Sequence, residues 1–470
     1  MAKGNTTSTS PEAYDQESGP GTMPDIKSII TSYAREVGFD LVRVASAQEF
    51  AEDRKITLER IKDGLMDGLP WFNQSRVLRG ANPQELLPGA RSIICLGSNY
   101  FESGQDFPET KAPVGKVARY AWGRDYHKII KRRMRNYVEG LRGRLGRGNS
   151  AEEFKARWYI DDGPMLDRAA ARRAGLGWFG KNTNILTPAL GSWVFLGQII
   201  TDLDLEPDQP LKKTCGNCVR CIDACPTGAI TAPYVVDNAK CISYLTIENR
   251  GEIPLALRPQ IGDWIFGCDI CQDVCPVNQK ASPSPTLWQW KRHEGDGPLG
   301  DSPIIDVSAG DVSAGDISPT ADSEQTSGST DTQKRSRFPS GQAPPAEHSK
   351  TAVLDLVELL GMTEEDFRVR FRGSPILRAK RVGIQRNACV ALGNKGDPVA
   401  VPALRLALSS GESLVRGHAA WALGNIGNTE GREALEQAQT NEEDESVSQE
   451  LVQALKCFKR LDSAATDPAY

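Results

Sequence analysis

The stretch Cys215-Gly-Asn-Cys218-Val-Arg-Cys221-Ile-Asp-Ala-Cys225-Pro226 decides how this chain is organised. Three cysteines, each separated by two residues, followed by a fourth cysteine and a proline, wrap a [4Fe–4S] cluster in bacterial ferredoxins, where the fourth thiolate reaches a neighbouring cluster. A second copy is therefore expected downstream. It is present in altered form as Cys268-x2-Cys271-x3-Cys275-Pro276, with Ile265 where the first ligand belongs.

The missing thiolate has one candidate, Cys241, which lies between the two runs. With Cys241 included, the chain offers eight thiolate ligands, four for each of two clusters. Because the ligands of the two clusters interleave along the chain, the clusters would pass single electrons between them. A pair of zinc sites is the alternative, because Cys-x2-Cys pairs also bind zinc, but the spacing with its trailing Cys-Pro favours clusters. The first predicted ligand set is Cys215, Cys218, Cys221 and Cys275; the second is Cys225, Cys241, Cys268 and Cys271. The remaining Cys95, Cys389 and Cys457 are predicted to be buried and inert.

Composition leaves room for two or three cores, since 39% of the 470 residues are hydrophobic and 25% are charged. The formal net charge is −5, but residues 294–333 contain nine acids and no base, so the rest of the chain carries +4. Polyanion partners are therefore not excluded. No apolar run reaches the roughly 18 residues that cross a membrane. Residues 1–22 are rich in Ser, Thr, Gly and Pro, which predicts a disordered leader, no signal peptide and a cytoplasmic protein.

The sequence pattern divides the rest of the chain into four parts. Residues 23–210 alternate helical periodicity with short β-branched runs, typical of an α/β domain with strands over 39–44, 92–96, 158–160 and 193–200. Residues 211–280 form the cluster module, and residues 281–350 read as a disordered acidic linker. In residues 351–470, Ala391-Leu-Gly-Asn394 recurs 31 residues later as Ala422-Leu-Gly-Asn425, which predicts HEAT-like helix pairs. The predicted fold class is α+β with an all-α C-terminal part.

A glycine motif, Gly175-x-Gly177-x-x-Gly180, formally matches the dinucleotide-binding fingerprint, which requires a strand before it and a helix after it. Here a predicted helix over 164–174 precedes it, ending at Gly175. A nicotinamide site is therefore not expected. The strand before that helix brings Asp161 and Asp162 to the helix N-terminus, where either could simply be an N-cap.

Several longer motifs together resemble the epoxyqueuosine reductases. They are Tyr159-Ile-Asp161-Asp-Gly-Pro164, Ala174-Gly-Leu-Gly-Trp-Phe-Gly-Lys-Asn182, Leu190-Gly-Ser192, the eight cysteines, and Arg370-Phe-Arg-Gly-Ser-Pro375. The resemblance covers residues 24–280 and 351–470. It implies a cobalamin-dependent iron–sulfur oxidoreductase that reduces epoxyqueuosine to queuosine at the wobble position of the tRNA anticodon, the last step of queuosine biosynthesis. It further implies a cobalamin-binding α/β domain like that of reductive dehalogenases, with two clusters delivering electrons to cobalt.

The chemistry explains why iron–sulfur clusters, cobalamin and an acid would occur together. Removing an epoxide oxygen as water needs electrons from a metal cofactor and a proton for the departing oxygen. Asp161 matches the family's proton donor. To stay protonated near neutral pH it would need apolar burial. The resemblance also implies that the corrin is contacted by Asp161, Gly180, Lys181, Asn182, Thr183, Gly191 and Ser192, and further by Arg79, Arg124 and Ser243. Lys181 could instead be an ordinary surface lysine. None of the four histidines lies in an Asp-x-His-x-x-Gly motif, so cobalt is expected without a protein histidine ligand.

Two basic stretches suit a phosphate backbone. Residues 116–147 contain eleven bases and two acids, and residues 367–386 contain no acid. A solvated helix face is the alternative. Tyr120, Trp122 and Tyr126 could stack on a splayed base or pack in the core. The predicted RNA contacts are Lys131, Arg132, Arg133, Arg135, Arg370, Arg372, Arg378, Lys380 and Arg381.

The expected partners are the anticodon stem-loop of a tRNA carrying epoxyqueuosine and an external low-potential electron donor, with no membrane and a monomeric chain. One alternative is a reductive dehalogenase-like cobalamin enzyme acting on a small molecule, against which the basic stretches and the missing export signal argue. Another is a non-catalytic iron–sulfur electron-transfer subunit in which Asp161 is only a cap. The sequence leaves open whether the helical repeats extend the RNA surface or merely dock the C-terminus.

Overall fold

The computed structural model describes residues 25–102, 112–145, 154–283 and 353–465, with side chains up to residue 458. The predicted leader, and the predicted linker from residue 284 onward, lie outside these ranges. The first region contains α1 (Ile26–Glu36), β1 (Leu41–Ser46), α2 (Ala51–Lys62), α3 (Gln74–Ala81), α4 (Pro83–Leu86), β2 (Ser92–Asn99), β3 (Val114–Val117), α5 (Tyr126–Leu145), β4 (Ala156–Tyr159), α6 (Asp167–Arg173), β5 (Trp178–Phe179), β6 (Ile185–Leu186) and β7 (Val194–Thr201).

The cysteine-containing region has only short elements, and the last region is almost entirely helical. The former comprises α7 (Arg220–Asp223), β8 (Ile230–Ala232), β9 (Val235–Val236), α8 (Ile242–Ile247), α9 (Arg258–Ile261), β10 (Trp264–Phe266) and α10 (Ile270–Asp273). The latter comprises β11 (Val353–Asp355), α11 (Leu356–Gly361), α12 (Glu364–Arg370), α13 (Lys380–Lys395), α14 (Val401–Ala407), α15 (Ser413–Ile426), α16 (Thr429–Gln439) and α17 (Glu445–Ala465).

A four-stranded antiparallel sheet with the order β1-β2-β7-β4 organises the first region. The four predicted strands overlap these four. Its central strands β2 and β7 are rich in β-branched residues, and every residue of β2 is buried, as expected for strands covered on both faces. Helix α5 packs on the sheet through residues spaced three or four apart, namely Ile130, Met134, Tyr137 and Leu141.

Helix α6 is shorter than the predicted 164–174 helix, and its N-cap is Leu166. Neither Asp161 nor Asp162 caps it, so the N-cap alternative for these two aspartates is wrong. The helix does end as predicted, because Gly175 has φ +69° and its N–H bonds to the Arg172 carbonyl. A two-stranded hairpin, β5 with β6, then follows in place of a helix.

A second sheet joins three distant parts of the chain in the order β10-β3-β11. Strand β10 pairs parallel to β3, and β11 pairs antiparallel to it. Ile265, which stands where a fourth cysteine was expected, lies in β10 and is fully buried. Its position is therefore used for packing.

The C-terminal helices stack as HEAT-like repeats, as predicted. Helices α13, α15 and α17 lie side by side, and α14 and α16 are the second helices of successive pairs. The first two helices end at Gly396 and Gly427, both left-handed. Gly393 permits a close crossing, because a Cβ there would come within 2.9 Å of the Ala422 Cα.

One hydrophobic core runs through all three regions. It includes Val117 of β3, Phe266 of the cysteine region and Leu354, Phe371 and Leu392 of the C-terminal region. The repeats are therefore packed onto the rest of the molecule through apolar side chains. Within the described ranges no helix combines the length and the apolar character needed to cross a membrane.

Candidate active site and electron-transfer centre

The first group of thiols forms where the loop before α7 meets the end of α10. Burial, followed by the negative charges of Cys215, Cys275 and Cys218, raises the pKa of Cys221 to about 11. Burial and the charges of Cys215 and Cys218 also raise the pKa of Cys275. Thiols that influence one another in this way lie close together. These are the four cysteines predicted to share one cluster.

The second group lies at the start of α8 and around α10. Burial raises the pKa of Cys241, with Cys225 as its neighbouring thiol. Burial and then Cys271 raise the pKa of Cys268, which also feels Cys241. Cys271 in turn feels both Cys241 and, from the other group, Cys221. The two thiol groups are thus adjacent, as an electron-transfer pair requires.

Both groups suit a cluster in their donor chemistry. All eight donors are thiols, and a [4Fe–4S] cluster takes one thiolate on each iron. The thiols are not drawn together around a point: the described residues include no group of three or more Cys, His, Asp or Glu side chains placed to hold a single metal ion. Elsewhere, Cys95 and Cys389 are buried as predicted, whereas Cys457 is exposed on α17, so the prediction of a buried thiol there is wrong.

The predicted corrin contacts in the β5–β6 hairpin lie against the cysteine region. The Asn182 amide donates to the Cys271 carbonyl at 3.2 Å, and Lys181 Nζ donates to the Gly216 carbonyl at 2.8 Å. Ser243 hydrogen-bonds the Cys241 thiol. The first two contacts attach the hairpin to the backbone of the cysteine region.

Gly191 and Ser192, which precede β7, also contact the cysteine region. The Ser192 N–H donates to Asn278 Oδ1 at 2.7 Å, and its hydroxyl donates to Gln272 Oε1 at 2.9 Å. Gly191 has φ +60°, and a Cβ there would come 2.0 Å from Asn278 Oδ1. Only glycine fits this crossing.

Asp161 follows β4 in a strained backbone conformation with φ +53°. The Tyr126 hydroxyl donates to its Oδ2 at 2.6 Å. The Tyr126 ring stacks on Phe195 at a centroid distance of 4.0 Å. Burial and then the charge of Asp161 raise the pKa of Tyr126 well above its ordinary value, so Tyr126 remains a proton-bearing donor. Asp161 itself is exposed, and the apolar burial expected for it is absent in this structure.

Two buried acceptors near Asp161 have no hydrogen-bond partner among the described residues: Asp167 Oδ1 and Gln198 Oε1. The Gln198 amide donates to the Asp167 carbonyl, which places the two side chains together. Burial and then the charge of Asp161 raise the pKa of Asp167 well above its ordinary value. Since buried polar atoms normally have partners, these two acceptors are candidates for contact with a ligand that carries N–H donors.

Basic side chains from both predicted RNA-binding stretches flank Asp161. Lys131 pairs with the adjacent Asp162. Arg378 pairs with Glu248. Although burial opposes it, the hydrogen bond to Glu248 and the charges of Glu248, Tyr120 and Asp161 raise the pKa of Arg378. Cationic side chains of both stretches thus lie near Asp161.

The structure separates the predicted RNA-binding residues into accessible and covered ones. Arg133 is buried over Phe39 and donates to the Gly38 carbonyl at 2.6 Å, so it holds the fold and the prediction of an RNA contact there is wrong. Arg370 and Arg381 are largely covered and pair with Glu358 and Glu412. The exposed members are Lys131, Arg132, Arg135, Arg372, Arg378 and Lys380.

The other candidates lie around this centre. Trp122 is buried and donates to the Val117 carbonyl, so it belongs to the core. Thr183, with φ +67°, accepts from Arg168 through its carbonyl and hydroxyl. Arg124 is half-buried just before α5. Arg79 is exposed on α3 and lines an open depression of about 780 Å³.

Sequence reasoning missed the roles of Tyr126, Asp167 and Gln198. From sequence, Tyr126 is one of several aromatic residues that could stack on bases or fill the core. Its contact with Asp161 spans 35 positions, so no local pattern reveals it. Asp167 and Gln198 carried no signal at all, since a buried acceptor without a partner is visible only in three dimensions.

These features define a class: a double-cluster iron–sulfur protein with an exposed acid beside the cysteine region and a stack of helical repeats. Residues 214–278 match the 4Fe-4S double cluster binding domain, residues 81–162 match "Epoxyqueuosine reductase QueG, DUF1730", and residues 375–456 match HEAT repeats. An epoxyqueuosine reductase of Pseudomonas aeruginosa is 33% identical over 425 residues, covering 89% of this chain and 99% of that protein. The chain belongs to the epoxyqueuosine reductase family.

Solved structures agree over the same span. A selenomethionine-labelled epoxyqueuosine reductase superimposes with a TM-score of 0.74 at 28% identity, covering 92% of this chain and 99% of that one. An epoxyqueuosine reductase solved with an epoxyqueuosine-modified tRNA-Tyr stem loop has a TM-score of 0.73, again at 28% identity, covering 92% of this chain and 99% of that chain.

Proposed function

We propose that this chain reduces epoxyqueuosine to queuosine at the wobble position of a tRNA anticodon, the last step of queuosine biosynthesis. The observation that carries the proposal is the position of Asp161: an exposed carboxyl that accepts a hydrogen bond from Tyr126 and lies near cationic side chains of both basic stretches. Relatives named epoxyqueuosine reductase, which match this chain over 97–99% of their own length, support it.

The eight cysteines would hold two [4Fe–4S] clusters in the two predicted sets. Because Cys271 and Cys221 lie near each other across the groups, electrons would pass from one cluster to the other. An external low-potential donor would supply them. We include in the proposal the division into a catalytic α/β part (23–210), a cluster module (211–280) and a helical part (351–470), as well as a monomeric, cytoplasmic protein.

Cobalamin fits the polar atoms beside Asp161. Its periphery carries amide groups, whose N–H donors would satisfy Asp167 Oδ1 and Gln198 Oε1. Bound there, it would supply the low-potential electrons that open the epoxide. The residues proposed to hold it, besides these two, are Asp161, Gly180, Lys181, Asn182, Thr183, Gly191, Ser192, Arg79, Arg124 and Ser243.

Asp161 would provide the proton for the departing oxygen. Because Tyr126 holds Oδ2, the carboxyl is oriented and Oδ1 is available for the substrate. Protonating the oxygen lets it leave as water, whereas an alkoxide would leave poorly. The positive φ of Asp161 keeps this carboxyl outside the sheet.

The tRNA would be gripped on both sides of Asp161. Arg132, Arg135, Arg372 and Lys380 are exposed and have no hydrogen-bond or ion-pair partner in the described part of the chain, so their charges are available for phosphates. Lys131 and Arg378 would exchange Asp162 and Glu248 for phosphate oxygens. This arrangement favours an anticodon arm over a small molecule.

The test is conversion of the tRNA itself. The protein would be reconstituted anaerobically, reduced and incubated with epoxyqueuosine-containing tRNA, with and without cobalamin, and the digested nucleosides analysed by mass spectrometry. Cobalamin-dependent appearance of queuosine, one oxygen lighter, is expected. No conversion despite intact clusters and bound cobalamin would refute the substrate; failure to retain cobalamin would favour a pure electron carrier.

A further inference from the structure

The second predicted ligand set has an unusual spacing. Cys241 precedes Cys268 by 27 positions, whereas the ferredoxin pattern would place that ligand at position 265. A local turn therefore cannot fix Cys241 beside Cys268 and Cys271. Its position depends on how the intervening residues, 242–267, are folded. We call these residues the ligand-spanning segment.

Arg386 of α13 binds this segment from the helical repeats. Its guanidinium is fully buried and donates to three carbonyls of the segment: Leu245 at 2.7 Å, Asn249 at 2.9 Å and Gly251 at 2.6 Å. A buried guanidinium is tolerated only when its donors are satisfied. The segment supplies three of those acceptors from its own backbone, and Asn387 Oδ1 of α13 is the fourth acceptor.

Asn387, the next residue of α13, joins the two ends of the segment. Its amide donates to the Thr246 carbonyl and the Ile265 carbonyl, each at 2.8 Å. Thr246 follows Cys241 by five positions, and Ile265 precedes Cys268 by three. A single side chain thus fixes the separation of the two chain stretches that carry the ligands.

Other residues of the helical repeats also contact the ligand-spanning segment. Asn394 donates to the carbonyls of Arg258 and Gly262, both at 2.8 Å. His418 of α15 accepts from the Ile253 N–H at 3.2 Å. Arg258 of the segment forms a buried, two-pronged ion pair with Glu450 of α17. Three stacked helices therefore hold the segment along its length.

We propose that the helical repeats position Cys241 relative to Cys268 and so maintain the second cluster, with Arg386 and Asn387 as positioning residues. The inference rests on the cluster assignment made under the proposed function. It assigns the repeats a role inside the molecule that their sequence left open. It also explains how a ligand taken from 27 positions away can replace the missing one.

The experiment compares Arg386→Met with a matched control, Arg416→Met, in the full chain. Arg416 lies on α15, makes a two-pronged pair with Glu442 and bonds the Ser410 carbonyl, all within the repeats. Cys241→Ala supplies the signature of a damaged second cluster. Each anaerobically reconstituted protein would be measured for iron and sulfide per chain and for its reduced electron paramagnetic resonance spectrum.

The wild type and Arg416→Met are expected to hold about eight iron ions per chain. Arg386→Met is expected to fall toward about four, with a spectrum resembling that of Cys241→Ala. Asn387→Ala removes the two hydrogen bonds to the Thr246 and Ile265 carbonyls and the two that Asn387 Oδ1 accepts from Arg386. It is the second variant to measure if Arg386→Met does not fold. Arg386→Lys should recover part of the loss.

Retention of eight iron ions and an unchanged spectrum in Arg386→Met and Asn387→Ala would overturn the proposal. Equal loss of both clusters would overturn it as well, because the support would then not be specific to the second. If the wild type itself never binds two clusters, the cluster assignment fails, and that result is distinguishable from failure of the positioning role.

Discussion

Asp161 combines two properties at the scale of a single residue: a left-handed backbone and an oriented carboxyl. Non-glycine residues at positive φ are uncommon, although aspartate tolerates the conformation better than most. Here the conformation coincides with the hydrogen bond from Tyr126.

Replacing Asp161 by Asn tests its role as an acid. The amide preserves the shape and an acceptor for Tyr126 but cannot protonate the leaving oxygen. Turnover of epoxyqueuosine tRNA is expected to fall at least about 100-fold, with iron content and cobalamin binding unchanged. Asp204→Asn, at an exposed pair with Arg91, is the control. Normal turnover of Asp161→Asn would remove the acid role.

His418 makes the stability of the repeats depend on pH. Burial and the nearby Arg258 hold its pKa well below its ordinary value of 6.5, so the folded state keeps it neutral while the unfolded state takes up a proton below about pH 6.5. Stability therefore decreases as pH falls through that range, by up to about 1.4 kcal/mol per pH unit from this residue. Thermal unfolding of His418→Gln should show a shallower acid slope than wild type; identical slopes would contradict this.

Charge alone could not distinguish the residues that bind RNA from those that hold the fold. Arg133 and Arg386 belong to basic stretches yet are buried, because distant backbone carbonyls accept their donors. For the cysteines, by contrast, the sequence pattern alone was informative. Their spacing predicts the ligand sets directly, and thiols of the same predicted set influence one another's pKa in the structure.

Helix α5 shows the same distinction at the scale of an element. One face packs on the sheet, and the opposite face carries Lys131, Arg132 and Arg135 in solvent. A stripe of apolar residues with exposed cations on the other side is the ordinary form of a surface helix. Its cations matter here because Lys131 of this face pairs with Asp162, the neighbour of Asp161.

Arg132→Ala and Arg135→Ala are expected to raise KM for tRNA while leaving kcat nearly unchanged. Each lost phosphate contact should reduce the slope of log affinity against log salt by about one. Arg144→Ala, on the same helix but paired with Glu36, provides the comparison. If all three variants show equal affinity and salt dependence, α5 does not contact the RNA backbone.

The start of α6 illustrates what a pattern of helix signals misses. Pro164 suggested a helix beginning there, but residues 163–165 pack against α3 instead. A Cβ on Gly80 would come 1.7 Å from the Pro164 carbonyl, and Arg76 donates to the Gly163 carbonyl. This close crossing of two segments overrides the local preference, and no local signal announces it.

On the scale of the whole molecule, the regions found from sequence are not independent cores. The repeats were recognisable from a 31-residue period, and the cysteine region from its spacing. The sheet β10-β3-β11 was not, because strands of three or four residues from distant segments leave no periodic pattern. Apolar side chains of all three regions share one cluster.

Truncating the chain after residue 283 is therefore expected to abolish soluble expression. Val117, Ile265 and Phe266 would lose the side chains of the C-terminal region that cover them, which exposes an apolar surface. Size-exclusion chromatography of the truncated protein checks this. A soluble, monodisperse fragment with both clusters would show that the shared core is dispensable.

Deleting residues 294–333, by contrast, is expected to leave the protein unimpaired. This acidic, apolar-poor stretch lies outside the described residues and is predicted to be a linker. Iron content, thermal unfolding and tRNA turnover are expected to match the full chain. A large loss of turnover with both clusters retained would assign the stretch a function.

The grip of α13 on the ligand-spanning segment also sets an order of events during biosynthesis. The Leu245 carbonyl and the Arg386 guanidinium that binds it are 141 positions apart. When a ribosome has released all eight cysteines, the helix that holds Cys241 near Cys268 has yet to be translated. On this proposal, assembly of the second cluster follows the emergence of the repeats, and the nascent chain carries the four thiols of the second predicted set without a cluster until then.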